Sequence, residues 1–300
     1  MKILICITFH YNYERIEYLK KVLNGFVNIA DKTTIYIITN TNNLNELNNI
    51  DLILPPQNNN FMIQIKSMNV KSTPYNLIAC HKKFLVKEFM DSNEYTHFLH
   101  TEDDLLFKKE NFEYWIEYRK ILKKSGHLPS FFRIERKNNN DFYRSSDVGF
   151  KIFWFFAPKL KYKEYYFLNM PNPSQSNYLV DKELASEMIQ DPPNTKKHFY
   201  LNSNIGIREK IDTGPIFSKV PTFYISRNLV PILINNYKIN PDCFILHLPG
   251  NYAMNNNTNL GNIDINNLFY LFPMPTPTLL RNIKYYLYVQ VRNFLIKFIN

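Results

Sequence analysis

The chain is poor in several residue types, and each scarcity excludes something. Only three of its 300 residues are cysteine: Cys6, Cys80 and Cys243. The count is odd, no two lie close together, and no Cys-x-x-Cys pair occurs. That argues against a disulfide framework and a thiolate zinc site, and fits buried thiols in a reducing compartment. Glycine is also scarce, with seven residues. No Gly-x-Gly-x-x-Gly follows the first apolar run, so the dinucleotide-binding fingerprint is missing. No uninterrupted apolar stretch is long enough to cross a membrane. The N-terminal apolar core covers only residues 3–9 and leads into a charged amphipathic pattern without a cleavage-type sequence, which argues against a signal peptide. Acids are absent from residues 278–300, and no internal repeat is evident.

What is abundant points elsewhere. Hydrophobic residues make up 45% and aromatics 16%, enough for a substantial core. The formal net charge is +10 and the pI about 9.2. Such a balance suits a polyanionic partner: nucleic acid, an acidic membrane surface or phosphorylated small molecules. Asparagine runs such as Asn58-Asn59-Asn60 reflect compositional bias and carry no functional assignment.

Periodicity outlines an α/β chain. Residues 2–9 form an Ile-rich run that predicts a buried strand, 14–26 show helical spacing, and 34–38 predict a second strand. This strand–helix–strand opening predicts a parallel sheet, whose ligands bind beyond the C-terminal strand ends. Thr8, His10, Asn40 and Thr41 fall at that edge. Short strands are expected at 52–54 and 61–65. A helix is expected at 73–90, with Thr73 as cap and Pro74 in its first turn. Its apolar face carries Leu77, Cys80, Phe84, Leu85 and Phe89, and its His81 reads as structural. Further on, a helix is expected at 112–122, strands at 131–135, 152–156, 162–167, 177–180 and 243–248, and a loop at 138–147. A helix capped by Asp181 runs to residue 189.

The most informative stretch is residues 95–115, YTHFLHTEDDLLFKKENFEYW. An apolar strand pattern runs into Glu102, Asp103 and Asp104, and a second apolar pair follows at once. Adjacent carboxylates repel one another, and partial burial makes that worse. A solvated loop or a helix N-terminus also tolerates such a triplet. The flanking hydrophobic residues favour a cation held by oxygen ligands at a strand end.

This segment resembles the acidic metal-binding motif of GT-A fold glycosyltransferases, in particular the Glu-Asp-Asp form of N-acetylglucosaminyltransferase I and its relatives. The resemblance covers roughly the first 255 residues in the order of elements, and only the acidic motif is specific at the level of letters. It implies a mixed, mostly parallel central sheet flanked by helices in one domain, 1–255. An Asn/Pro-rich linker at 256–277 and a terminal helix at 278–300 would follow. It further implies transfer of a sugar from a nucleotide-diphosphate donor, UDP-sugar first, to a glycan or other hydroxyl acceptor.

Carried over residue by residue, the resemblance gives Asp104 to the metal, Asp103 to the donor ribose or sugar, and Glu102 to support of the site. Thr8, His10 and Asn40 lie near the base and ribose. Glu209, or else Asp212, is the base facing the acceptor hydroxyl. His247, near the end of a late strand, is a further metal ligand, and a core histidine is the plain alternative. Oxygen and imidazole ligands together favour manganese, with magnesium the alternative.

In residues 278–300, Leu280, Ile283, Leu287, Val291, Phe294 and Phe298 form one apolar stripe flanked by Arg281, Lys284 and Arg292. A basic amphipathic helix of this kind reads as a surface for anionic membranes, or as a helix packed on the domain or on another subunit. A cytoplasmic or peripheral membrane location follows. Two other functions compete. A sugar-phosphate nucleotidyltransferase would carry a Gly-rich loop after the first strand, where this chain reads TFHYNYER. A nucleic-acid binder would interleave basic and aromatic residues on an exposed face, whereas the aromatics here lie mostly in apolar runs.

Overall fold

The computed structural model describes residues 1–70, 75–137, 143–171, 176–190, 211, 214–254, 260–271, 280, 283–284, 287 and 291. The chain divides into two compact units, Met1–Lys109 with Ser174–Pro215, and Glu110–Pro173 with Ile216–Asn300.

In the first unit the Ile-rich run forms β1 (Lys2–Phe9), buried on both faces as its lack of alternation predicts. Asn12 accepts the Glu14 amide and caps a tight 3-10 turn, Tyr13–Arg15. α1 (Ile16–Gly25) follows and buries Ile16, Leu19, Val22 and Leu23. β2 (Lys32–Thr39) comes next. The strand expected at 52–54 does not form. Asn43 accepts the amides of Asn45 and Glu46 and nucleates α2 (Leu44–Asp51) instead, and Leu52 is left exposed after it. β3 (Phe61–Ser67) is longer than its apolar core.

Of the helix expected at 73–90, Thr73 and Pro74 lie outside the described residues. The rest is broken into α3 (Tyr75–Ala79), α4 (His81–Phe84) and a π-helical stretch, Leu85–Met90, with Leu77, Phe84, Leu85 and Phe89 buried. β4 (His97–Glu102) and the short β5 (Leu105–Leu106) flank the acidic turn.

In the second unit α5 (Lys109–Leu122) is followed by Gly126, whose left-handed backbone (φ 75°) ends the helical stretch. β6 (Leu128–Pro129) and β7 (Phe132–Arg136) follow. The stretch 138–147, expected as loop, contains β8 (Tyr143–Ser145), which pairs antiparallel with β7. β9 (Ile152–Phe153) is shorter than expected. The Phe156 and Ala157 amides turn back to the Phe153 carbonyl, and Lys159 Nζ donates to the Trp154 and Ala157 carbonyls, so Phe155 and Phe156 are left exposed. β10 (Lys159–Tyr162) and β11 (Tyr165–Leu168) form a hairpin.

The chain returns to the first unit as β12 (Tyr178–Asp181) and α6 (Lys182–Gln190), and Asp181 accepts the Leu184 amide at 2.8 Å, as its expected capping role requires. The second unit closes with β13 (Asn228–Leu233), which hydrophobic patterning missed, then β14 (Phe244–His247), α7 (Asn251–Met254) and β15 (Phe269–Tyr270).

The architecture is α/β. The first unit's sheet runs β12-β4-β1-β2-β3, with β1 parallel to both β2 and β4, β2 parallel to β3, and β12 antiparallel at the edge. After β3 the chain crosses back to the far side of β1, so β1 and β4 flank a topological switch point. The second unit holds β10-β11-β13-β6, the set β14-β7-β8 and the pair β15-β9. No helix among the described residues is long and apolar enough to cross a membrane.

Beneath the switch point lies a buried aromatic–imidazole cluster. The rings of His81 and His100 stack at 3.6 Å and 22°, and each lies 5.5 Å from the Tyr178 ring. Burial pulls His81 down to about 3 and His100 well below its ordinary range, so both rings are neutral. In the unfolded chain each titrates near ~6.5. Between the two values the unfolded state binds more protons, so stability rises with pH and is lost as pH falls below about 6.5. His81→Phe removes one such group. The variant is expected to gain about 2 kcal/mol relative to the unmodified chain on going from pH ~7 to ~5, measured by urea unfolding.

Candidate functional site

The C-terminal ends of β1 and β4 lie side by side, with Thr8 opposite Glu102 in the parallel register. Glu102 is the last residue of β4, and Asp103 and Asp104 form the turn into β5. All three acids are buried, at 6%, 3% and 4% exposure. Leu105 and Phe107 are fully buried just beyond them and anchor the turn from the apolar side. Phe107 stacks on Phe26 at 6.0 Å. A Cβ at Gly25 would lie 2.5 Å from the Phe107 carbonyl, so glycine at the end of α1 permits this close approach.

A cation from the chain itself sits on the acids. Arg15, at the end of the capped turn after β1, donates from Nε and Nη2 to the two Asp103 oxygens, both at 2.8 Å. The same Nη2 donates to Asp104 Oδ2 at 2.8 Å. Burial pushes the Asp103 carboxyl up to about 6, opposed by the Arg15 hydrogen bonds and reinforced by the charge of Asp104. Hydrogen bonds and charge from both acids in turn raise the Arg15 guanidinium against the opposing effect of its burial. Sequence reasoning missed Arg15. The available signal was a basic residue a few positions beyond the first strand, at the same sheet edge as the acids.

The other expected residues of this edge are present with defined partners. Thr8 is buried, and its hydroxyl meets His100 Nε2 at 3.1 Å, which links the edge to the histidine cluster below it. His10 is exposed in the loop after β1. Asn40 Oδ1 accepts the Tyr11 amide at 2.8 Å, and Asn49 donates to the Tyr11 hydroxyl at 3.0 Å. The loops after β1 and β2 are thereby tied together. Thr41 donates to Glu46, and Ser67 donates to the Thr41 carbonyl at 2.7 Å. The first unit thus gathers Thr8, His10, Asn40, Glu102, Asp103 and Asp104 on one sheet edge.

His247 belongs to the second unit, at the end of β14. Its Nδ1 pairs with Oε1 of the fully buried Glu135 on β7, whose Oε2 accepts the Ala253 amide of α7 at 2.5 Å. A carboxylate on Nδ1 orients the ring and sets its tautomer when it is neutral. Nearby, Asp147 accepts from the Arg133 amide and Nε at 2.7 Å each, and burial raises its carboxyl despite this pairing. Glu209 and Asp212 lie outside the described residues. Among the described residues no three His, Cys, Asp or Glu side chains are grouped to hold a metal ion. Neither a protein-family model nor a curated protein sequence matches the chain.

The Arg15 contacts carry a measurable expectation. Arg15→Met leaves two buried carboxylates facing each other. Because the guanidinium is about one-third exposed, solvent screens part of the effect. The variant is expected to lose about 1–3 kcal/mol near neutral pH. In a double-mutant cycle with Asp103→Asn, most of that loss should disappear, read by urea unfolding.

Proposed function

We propose that the chain is a metal-dependent glycosyltransferase of the GT-A type, moving a sugar from a nucleoside-diphosphate donor, UDP-sugar first, to a hydroxyl of a glycan or similar acceptor. The observation that carries this reading is the position of Asp103 and Asp104. They are buried carboxylates beyond the C-terminal end of a parallel strand, at the switch point where open α/β sheets take their ligands. The place already demands positive charge, since it holds Arg15 across both acids.

The donor chemistry fits manganese or magnesium: hard carboxylate oxygens, few enough to leave positions for phosphate oxygens. Asp104 is the proposed ligand. It takes one of the three Arg15 hydrogen bonds, while Asp103 takes two and is held in a bidentate grip. A bound divalent cation would supply Lewis-acid stabilisation of the leaving diphosphate.

The chain's own residues divide the remaining tasks. Arg15 and Glu102 hold the turn in shape. Thr8, His10 and Asn40, at the ends of β1 and β2, are proposed to receive the base and ribose. Glu209, with Asp212 second, is the proposed base for the acceptor hydroxyl, a role that typically contributes ~10²–10⁴ in rate.

The test is a thermal-shift series with UDP, GDP, ADP and CDP, each with and without manganese. A nucleotide that raises the melting temperature only together with the metal supports the reading, and Asp104→Asn should abolish that rise. No shift with any of the pairs would overturn it.

A further inference from the structure

The turn after β9 carries an apolar surface that the acidic turn of the first unit does not explain. The Phe156 and Ala157 amides return to the Phe153 carbonyl, and Lys159 Nζ donates to the carbonyls of Trp154 at 2.8 Å and Ala157 at 3.3 Å. The polar groups of the turn are thus engaged from within, while Phe155 and Phe156 reach solvent at 65% and 45% exposure. Two consecutive exposed phenylalanines are an unusual state. Trp154, between them and β9, is buried. The rings of Tyr166, Tyr237 and Phe269 meet it edge-on at 5.4, 5.0 and 5.4 Å. Tyr237 is itself exposed and holds a left-handed backbone, φ 57°, that a bulky residue rarely adopts. Three aromatic side chains therefore reach solvent around one buried tryptophan.

The charge around this surface is mostly of one sign. Residues 150–169 contain Lys151, Lys159, Lys161 and Lys163 against a single acid, Glu164, and Lys238 follows Tyr237. Lys161, Lys163 and Lys238 are exposed, and Lys151 is half-buried. Lys161 is paired with Tyr166 in the β10–β11 hairpin. Directly opposed residues share a sheet face, so Lys161 stands on the face that Trp154 covers through Tyr166. On the other side, Lys151 Nζ lies 5.0 Å over the ring of Tyr270, which is in register with Phe153. Lysines therefore flank the turn from β9 and from the hairpin.

Apolar rings between cations match a bilayer surface, where acyl chains lie beneath anionic headgroups. Tyrosine and tryptophan favour the same boundary. A second copy of this surface would set its lysines against one another. A nucleic-acid strand takes cations and rings too, but it stacks successive bases along a groove. The phenylalanines here are neighbours on one turn, each held edge-on to Phe153.

From this we infer that the turn at residues 154–157 docks the protein on an anionic lipid bilayer. Phe155 and Phe156 enter the headgroup–acyl boundary, and Lys151, Lys161 and Lys163 meet lipid phosphates and carboxylates. The surface lies on the membrane without crossing it. The inference stands apart from the reading of the acidic turn and holds or fails without it.

The experiment is co-sedimentation of the full chain with phosphatidylcholine vesicles, with and without phosphatidylserine. Binding is expected with phosphatidylserine only and is expected to weaken as salt rises. Lys161→Glu should lower it at least about five-fold, and Phe155→Asp at least about ten-fold. Both side chains are exposed, so the melting temperature of each variant should match that of the unmodified chain. Equal binding to neutral vesicles overturns the inference. So does anionic binding that Phe155→Asp leaves intact, which would place the contact elsewhere on the chain. Self-association, or binding of a single-stranded oligonucleotide, that Phe155→Asp abolishes while no vesicle binding is seen overturns it as well.

Discussion

Two carboxylates of the same sign, side by side and almost fully buried, are an arrangement that folding resists unless positive charge is brought to them. In this chain the Arg15 guanidinium brings it, at 2.8 Å to both Asp103 and Asp104. Much of the first unit's geometry serves that contact. The Asn12 cap turns the chain so that Arg15 leaves the end of β1 at the edge where β4 also ends. Gly25 lets α1 approach the Phe107 backbone and seats the strand beyond the acids.

The same edge shows how a parallel sheet converts remote residues into neighbours. Thr8, Asn40 and Asp104 are far apart in the chain, yet each stands at or just past the C-terminal end of its strand. The hydrogen bond from the Tyr11 amide to Asn40 and the meeting of Thr8 with His100 stiffen that edge from two sides. The neutral, stacked His81–His100 pair beneath it is a buried polar element in an apolar setting. Its rings stack on each other beside Tyr178, and His100 also meets the Thr8 hydroxyl.

The two units solve the burial of acids differently. In the first, carboxylates at a strand end share an arginine. In the second, Glu135 is fully buried and is met by His247 and a backbone amide, while Asp147 is met by the side chain and backbone of Arg133. Both arrangements follow the rule that a buried charge must be paired or fully hydrogen-bonded.

The order of β1, α1, β2, β3 and β4, and the position of the acids at the end of β4, were determined by the sequence itself. Unbroken Ile-rich runs, a 3.6-residue apolar period and a charge cluster between apolar runs are local signals, and local physics reads them. The same local reasoning went astray at residues 52–54, where Asn43 caps a helix that uses up the preceding chain, and at 154–156, where turn hydrogen bonds end β9 early. It passed over β8 and β13, whose strand character depends on neighbours supplied from elsewhere in the chain. Only the tertiary structure decided that Arg15 is the partner of Asp103 and Asp104, that Glu135 is the partner of His247, and that His81 stacks on His100. Each pairing joins residues at least 19 positions apart. No periodicity or propensity encodes such distances; they are set when strands choose their neighbours in a sheet.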